Sequence, residues 1–103
     1  MQIETSERLT QEEQQTVRVM QLLGDATRYK MLKIMLNERN MCVSDIASRL
    51  NVSVSAISQH FRSFELAGLV EKHRDGQRVC YQLSSDNDLM EYISTITRKN
   101  KED

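Results

Sequence analysis

Residues 44–67, which read SDIASRLNVSVSAISQHFRSFELA, decide the fold of this chain. Their apolar spacing predicts a short helix over 45–50, which Ser44 can cap, and a longer helix over about 54–67. Residues 51–53, Asn-Val-Ser, separate the two helices, because asparagine tolerates a left-handed turn and serine is a good helix cap. Two helices joined by such a turn predict a helix-turn-helix.

The second of these helices carries two different faces. Its apolar side chains recur at i, i+4 and i+7 and predict a buried face. They are Ile57, Phe61 and Phe64. The same spacing on another face gives Ser55, Gln59 and Arg62, with Ser58 beside them. One face is therefore expected to pack, while the other is open to water or to a ligand.

Residues 69–83 predict a β hairpin directly after the helix-turn-helix. Asp75-Gly76 suits a turn with positive φ, and pairing His73 with Arg78 gives a clean alternation of side chains. One face then holds Val70, Val79, Tyr81 and Leu83, and the other holds Glu71, His73, Arg78, Cys80 and Gln82. A hairpin in this position is typical of a winged helix, with a reader unit over about 44–67 and a wing over about 69–83.

Three further amphipathic helices are predicted outside this unit. Their apolar positions are Val17, Val19, Met20 and Leu23 in the first, Tyr29, Leu32, Met35 and Leu36 in the second, and Leu89, Tyr92, Ile93 and Ile96 in the last. Gly24 ends the first helix, Asp25 can cap the second, and the polar residues 37–40 predict a turn. The fold class is mainly α with a small β hairpin, a winged helix-turn-helix in one domain over residues 1–103.

The composition narrows the classes of function. The chain of 103 residues has no apolar run near the roughly 18–20 residues that cross a bilayer, so a membrane protein is not expected. Its N-terminal stretch MQIETSERLTQEEQQ is acidic and polar where a secretory signal is basic and then apolar, which predicts a cytoplasmic location. The net charge is −1, but residues 18–78 hold ten basic against six acidic side chains. The excess of positive charge therefore lies in the segment that holds the reader and most of the wing.

The polar helix face and the wing tip together predict contact with double-stranded DNA. The major groove accepts one helix, and serine, glutamine and arginine can donate to phosphates or base edges from it. The candidate DNA-binding residues on the helix are Ser55, Ala56, Ser58, Gln59 and Arg62. On the wing, Arg74, Gln77 and Arg78 could reach the backbone or the minor groove.

From about Val17 to Ile96 the chain resembles the ArsR/SmtB family of winged-helix transcriptional repressors. The resemblance is carried by LGDATRYKMLKIML, VSDIASRLNVSVSAISQHFRSFELAGLV and GQRVCYQL. It implies a homodimer, joined through its first and last helices, that binds a near-palindromic operator until an effector weakens the complex. It further implies DNA contacts from Ser55, Ser58, Gln59 and His60, and from Arg78 on the wing. Val54 stands where the family commonly has glutamine.

The resemblance also implies that the effector is a metal ion or an oxidant. One family site reads C-x-C-D at the start of the reader, and residues 42–45, Cys-Val-Ser-Asp, keep only its first thiol. A soft metal usually needs three or four sulfur or nitrogen ligands, so this site is expected to be lost or altered. A second family site takes its ligands from the last helix. Asp86, Asp88 and Glu91 lie there, but acids at a helix N-terminus are expected for the helix dipole alone.

The remaining effector candidates are the two cysteines. Cys80 shares a strand face with His73 and Glu71, a mixed set that matches no site of the family. A redox pair would require Cys42 to lie next to Cys80, and nothing in the spacing places them together. Both are expected to be free structural thiols. No cofactor or metal site is therefore assigned, and three possibilities stay open for the effector: a soft metal or metalloid at Cys42 or Cys80, an oxidant, or no effector at all.

The predicted function is a DNA-binding transcriptional regulator, a homodimeric repressor that an effector releases from its operator. The alternative is a winged helix that binds another protein and no DNA. That alternative calls for apolar side chains at positions 55, 59 and 62, which are polar here. An enzyme is not expected, because the sequence shows no Gly-rich phosphate loop, no paired catalytic acids and no activated nucleophile.

Overall fold

The computed structural model describes residues 7–84 and 88–99. In these residues five helices and three strands follow one another. They are α1 (Gln11–Leu23), α2 (Ala26–Glu38), β1 (Asn40–Cys42), α3 (Val43–Leu50), α4 (Val54–Leu66), β2 (Val70–Asp75), β3 (Arg78–Leu83) and α5 (Asp88–Lys99). The predicted helix-turn-helix is confirmed as α3 and α4, and the predicted hairpin as β2 and β3. Within the described ranges, no helix combines the length and the apolar character needed to cross a membrane.

Two helices begin at the polar residues that the sequence indicates. The Asp25 carboxylate accepts the backbone amide of Arg28 at 3.0 Å, at the start of α2. The Ser53 hydroxyl accepts the backbone amide of Ala56 at 3.1 Å, at the start of α4. Each bond satisfies an amide that the helix itself leaves without a partner, and so fixes the first turn.

Strand β1 corrects the prediction of a turn over residues 37–40. The chain leaves α2 through Arg39, whose φ is 49°, and then pairs antiparallel with β3. Helix α3 consequently begins at Val43 with Cys42 as its N-cap, so the predicted cap at Ser44 is wrong. A three-residue strand is too short to show an alternation of its own, and its partner lies far along the chain, which is why the sequence pattern does not reveal it.

The hairpin register differs from the predicted one by two residues. Asp75 pairs with Arg78, and His73 pairs with Cys80 rather than with Arg78. The turn is Gly76-Gln77, so the positive φ of 67° falls on the first turn position, where glycine is favoured in hairpins. Because the shift is an even number of residues, every side chain keeps its predicted face.

The two cysteines are directly opposed in the β1–β3 pair and form a disulfide bond. The prediction that Cys42 and Cys80 are free thiols is therefore wrong. The reason is strand β1, which brings the start of α3 against the wing. The sheet order is β1-β3-β2, so β3 is the central strand and the disulfide joins it to the edge strand that enters the reader.

The core forms where α4 packs against α3 and the hairpin. The ring of Phe61 stacks on that of Tyr81 with centroids 4.2 Å apart, and it meets Phe64 edge to face at 6.3 Å. The three apolar residues predicted to face inward from α4 are all fully buried. Other fully buried side chains are Met31, Leu32, Met35, Ile46, Leu69 and Ile93. This packing leaves α4 one outward face.

The helices α1 and α5 leave apolar side chains in solvent. Val19 of α1 and Ile93 of α5 are buried, which accounts for one face of each helix. The exposed ones are Val17 (37%), Met20 (65%), Tyr92 (45%) and Ile96 (40%). Of the apolar positions predicted for α1, Val19 is therefore buried while Val17 and Met20 are exposed in a single chain, and an apolar surface lies on two helices that pack together.

Candidate nucleic-acid interface

The outward face of α4 carries the residues that the sequence predicts to read DNA. Ser55, Gln59 and Arg62 are exposed, and Ala56 and Ser58 are half-buried beside them. The helix cannot rotate about its axis without drawing two phenylalanine rings out of the core. The polar face is therefore held in one orientation.

A cleft of about 440 Å³ lies between α4 and the wing and brings predicted residues of both together. Among the described residues, the cleft is lined by Val43, Ser44, Val54, Ser58, Arg62, Lys72, Gln77, Arg78, Val79 and Tyr81. Three of these side chains are cationic, namely Arg62, Lys72 and Arg78, and none is a carboxylate. A concave surface with charge of one sign concentrates its field and attracts anions such as phosphate.

Lys72 is a cleft residue that the sequence prediction missed. It pairs with Tyr81 across the hairpin and so lies on the same face as Val70. That face packs towards α4, as the burial of Val70 and Tyr81 shows. The strand alternation was a usable signal, because a lysine two residues after an inward valine lies on the inward face and must extend past its edge to reach water.

Tyr81 links the core to the cleft. Burial, followed by the nearby Glu65 carboxylate, raises the pKa of the Tyr81 phenol above its ordinary value of 10.0, and the Arg62 guanidinium opposes this rise. The phenol is therefore neutral at pH 7 and keeps its proton as a hydrogen-bond donor. The same couplings show that the charge of Arg62 acts close to the Tyr81 ring.

On the wing, Arg78 is already bound to another residue. Its guanidinium forms an ion pair with the carboxylate of Asp45, in the first turn of α3. Both side chains are about half exposed, at 48% and 51%. The pair joins the tip of the wing to the reader unit, and Arg78 must leave Asp45, or share it, to bind a phosphate.

His60 lies at a different contact from the other predicted residues. The Arg28 Nε donates to His60 Nδ1 at 3.1 Å, and His60 Nε2 is 4.0 Å from an Asp25 carboxylate oxygen. The imidazole thus connects α4 to the start of α2 and is only 19% exposed. Gln59 lies beside His60 and Arg28 in a hollow separate from the cleft. Arg74 is exposed on β2. Neither Gln59 nor Arg74 lines the cleft.

The described residues do not fit a metal site. Within residues 7–84 and 88–99, no group of three His, Cys, Asp or Glu side chains could hold a metal ion. Of the acidic set at the last helix, Asp86 lies outside the described residues, the side chain of Asp88 is not described, and Glu91 is exposed. A soft metal would need more donors than the two cysteine sulfurs provide.

In the candidate ligand set on the wing, which is Glu71, His73 and Cys80, two of the three residues are already bonded to other residues. His73 does lie opposite Cys80, with Glu71 in the next pair along that face. However, His73 Nε2 is hydrogen-bonded to Asn40 Oδ1 at 2.7 Å, across strand β3. Asn40 lies opposite Gln82 and His73 lies opposite the fully buried Cys80, so this bond crosses β3 next to Cys80.

Helices α3 and α4, the hairpin beside them and the cationic cleft between them define a winged helix-turn-helix protein. Solved structures support this class. HlyU from Vibrio cholerae N16961 superposes with a TM-score of 0.76 at 27% identity, over 88% of this chain and 97% of that one. The AntR antimony-specific transcriptional repressor superposes with a TM-score of 0.74 at 17% identity, over 97% of this chain and 92% of that one, and shares the fold.

The sequence comparisons identify the family. The family model described as "Bacterial regulatory protein, arsR family" matches residues 25–72. The transcriptional activator HlyU of Vibrio cholerae serotype O1 is 34% identical over 75% of this chain and 73% of its own length. The cadmium resistance transcriptional regulatory protein CadC of Listeria innocua is 37% identical over 58% of this chain, a match that spans half of CadC. The chain belongs to the arsR family of bacterial regulatory proteins.

Proposed function

We propose that this protein is a homodimeric transcriptional regulator that binds duplex DNA through α4 and the wing, and that it represses until a thiol-directed effector releases it. Helix α4 enters the major groove with Ser55, Ala56, Ser58, Gln59 and Arg62, while Arg74, Gln77 and Arg78 of the wing approach the backbone. His60 holds α4 to the start of α2 through its contacts with Arg28 and Asp25. The regulators named among its relatives support this function.

The observation that carries the proposal is the cationic cleft beside an exposed helix face. Arg62, Lys72 and Arg78 line it, and the described lining residues include no carboxylate, although Arg78 is paired with Asp45 just outside the lining. Phosphate contacts supply most of the affinity of non-specific DNA binding, and convergent cations are what such contacts require. A protein-binding module would instead need an apolar groove, whereas Ser58, Gln77 and the cations make this one polar.

The apolar surface of α1 and α5 supports the proposed dimer. Met20 is 65% exposed and Tyr92 45% exposed in the single chain, although both lie on helices that pack together. A second copy placed on this surface removes it from water in both chains, and a two-fold interface uses one patch twice. A neighbour from Mycobacterium bovis, 23% identical with a TM-score of 0.69, is a homodimeric winged helix-turn-helix domain, which supports the same arrangement.

The effector proposal rests on Cys42 and Cys80. Relatives are named for cadmium and arsenical resistance, which supports a soft metal or metalloid as one class of effector. Two thiolates fall short of the three or four donors such an ion prefers. Titration of the reduced protein with Cd²⁺, followed by sulfur-to-metal absorbance, tests this class, and Cys42→Ser is expected to lower the response more than Cys80→Ser.

The experiment that tests DNA binding is the salt dependence of affinity. Reduced protein first selects duplexes from a random pool, and its affinity for a selected duplex is then measured at several salt concentrations. The logarithm of the affinity is expected to fall steeply, by roughly 0.9 per phosphate contact for each tenfold rise in salt. A selection that enriches no duplex, or an affinity independent of salt, would refute the proposal.

A further inference from the structure

The disulfide between Cys42 and Cys80 joins the two parts of the DNA-binding unit. Cys42 is the residue directly before α3, and Cys80 lies in the central strand of the wing. We infer that this pair is a thiol–disulfide site, oxidised by peroxides, and that its oxidised state holds Arg78 on Asp45 and away from a DNA phosphate. The effect of oxidation on DNA binding rests on the proposed function, whereas the oxidation of the cysteine pair does not.

The two thiols differ in their access to an oxidant. Cys42 is 8% exposed, whereas Cys80 is fully buried, next to the bond between His73 and Asn40. Cys42 is also the N-cap of the eight-residue α3, and no side chain caps the amides there. Free amides and the helix dipole stabilise a thiolate. The reduced Cys42 is therefore the attacking sulfur, and Cys80 is the sulfur that closes the disulfide.

The chemistry needs only the two thiols and a hydroperoxide. The Cys42 thiolate attacks one peroxide oxygen, the O–O bond breaks, and the leaving oxygen takes a proton to become an alcohol, or water from hydrogen peroxide. The Cys80 sulfur then attacks the sulfenic acid at Cys42, the S–O bond breaks, and water leaves with the Cys80 proton. Two thiols lose two electrons, which reduce the peroxide.

The disulfide and the Arg78–Asp45 ion pair lie on the same two segments of chain. Cys42 precedes Asp45 near the start of α3, and Cys80 follows Arg78 in β3. A covalent link between these segments keeps both partners of the ion pair within reach, so Arg78 stays bound to Asp45. Reduction removes the covalent link and leaves the hydrogen bonds of the three-residue β1 as the backbone link between these two segments, so Arg78 can exchange Asp45 for a phosphate.

The first arm of the test uses the full chain without DNA. Reduced protein is treated with one equivalent of hydrogen peroxide, and the product is expected to lose two hydrogen atoms by mass and to resist alkylation. Cys80→Ser is expected to accumulate a dimedone-trapped sulfenic acid at Cys42, whereas Cys42→Ser should react far more slowly. A wild type that forms no disulfide, or a Cys42→Ser variant as reactive as Cys80→Ser, would overturn the assignment.

The second arm measures affinity for a duplex selected by the reduced protein. The oxidised protein is expected to bind about tenfold more weakly, the effect of losing one charge-assisted contact. Asp45→Asn should remove this difference, whereas Glu38→Gln, which breaks an exposed ion pair to Arg49, should preserve it. Equal affinities of oxidised and reduced protein overturn the switch. A reduced protein that selects no duplex overturns the proposed function instead. The oxidation of Cys42 and Cys80 is then decided by the first arm alone.

Discussion

The reading helix and the wing face the same cleft but are held in place by different bonds. In the described part of the chain, the side chains of Gln59 and Arg62 on α4 form no hydrogen bond or ion pair. On the wing, Arg78 is paired with Asp45, and Cys80 is bonded to Cys42. The helix is therefore fixed by its buried face and free on its outer one, whereas the wing is tied by partners distant in sequence.

This difference assigns specific DNA binding to α4 and the response of affinity to solution conditions to the wing. A helix whose position depends on core packing presents the same face whatever the state of the solvent. A wing held by an ion pair and a disulfide responds to salt and to oxidants, because both bonds depend on conditions. We therefore expect substitutions on α4 to change affinity in every condition, and substitutions on the wing to change how affinity depends on conditions.

Phe61→Ala is expected to have the largest effect, because Phe61 is where the two regions meet. Its fully buried ring stacks on Tyr81 of the wing at 4.2 Å. Truncation should lower the free energy of unfolding by about 3–5 kcal/mol, through lost burial and the cavity left behind. Urea unfolding followed by circular dichroism measures this, with the exposed Glu65→Ala of the same helix as the control. A loss below about 1 kcal/mol would show that helix and wing are positioned independently.

Arg62→Ala and Arg78→Ala compare a free cation with a paired one. We expect Arg62→Ala to weaken binding to a selected duplex about tenfold and to flatten its salt dependence, with thermal stability unchanged. Arg78→Ala should cost less without reductant, because Arg78 is then held by Asp45. Arg18→Ala removes the same charge from α1 and is the control. If Arg78→Ala loses as much affinity without reductant as with it, as Arg62→Ala is expected to do, the two regions do not differ as proposed.

The sequence predicts the reading helix well because its information is local. The i, i+4, i+7 spacing of Ile57, Phe61 and Phe64 places the buried face correctly, and the caps at Asp25 and Ser53 are confirmed. These features arise within one or two helical turns, so a single sequence contains them. The family resemblance adds the class of protein, which the comparisons confirm.

What the sequence misses depends on long-range pairing. Strand β1 is too short to show a pattern, and without it nothing indicates that Cys42 meets Cys80 or that Asp45 meets Arg78. The two-residue register error has the same origin, since the alternation fixes the faces of a hairpin but not which turn residues close it. The wing is therefore the region where the structure adds most to the sequence.

Gly76→Ala is expected to have a smaller effect, confined to the wing. An added Cβ meets nothing within 4 Å, so the cost is the positive φ of 67° alone. We expect the free energy of unfolding to fall by about 1 kcal/mol, measured by urea unfolding. Gln77→Ala, at the other turn position, is the control and should change stability by less than about 0.5 kcal/mol. Equal effects of the two substitutions would contradict the assignment of the turn to Gly76-Gln77.

Asp25→Asn should lower thermal stability slightly near pH 7 and less in acid, and it tests the helix side of the comparison. The backbone amide of Arg28 donates to Asp25 and holds the pKa of that carboxyl below 3.8; lost solvation opposes this, while the nearby His60 adds to it. Because the folded pKa is lowered, the stabilisation is complete above about 3.8 and is lost as the pH falls through the folded pKa. Asparagine caps helices as well but does not titrate. The variant's thermal stability should therefore fall less steeply with acid than that of the wild type, and parallel curves for the two proteins would show that the Asp25 charge does not contribute to holding α2.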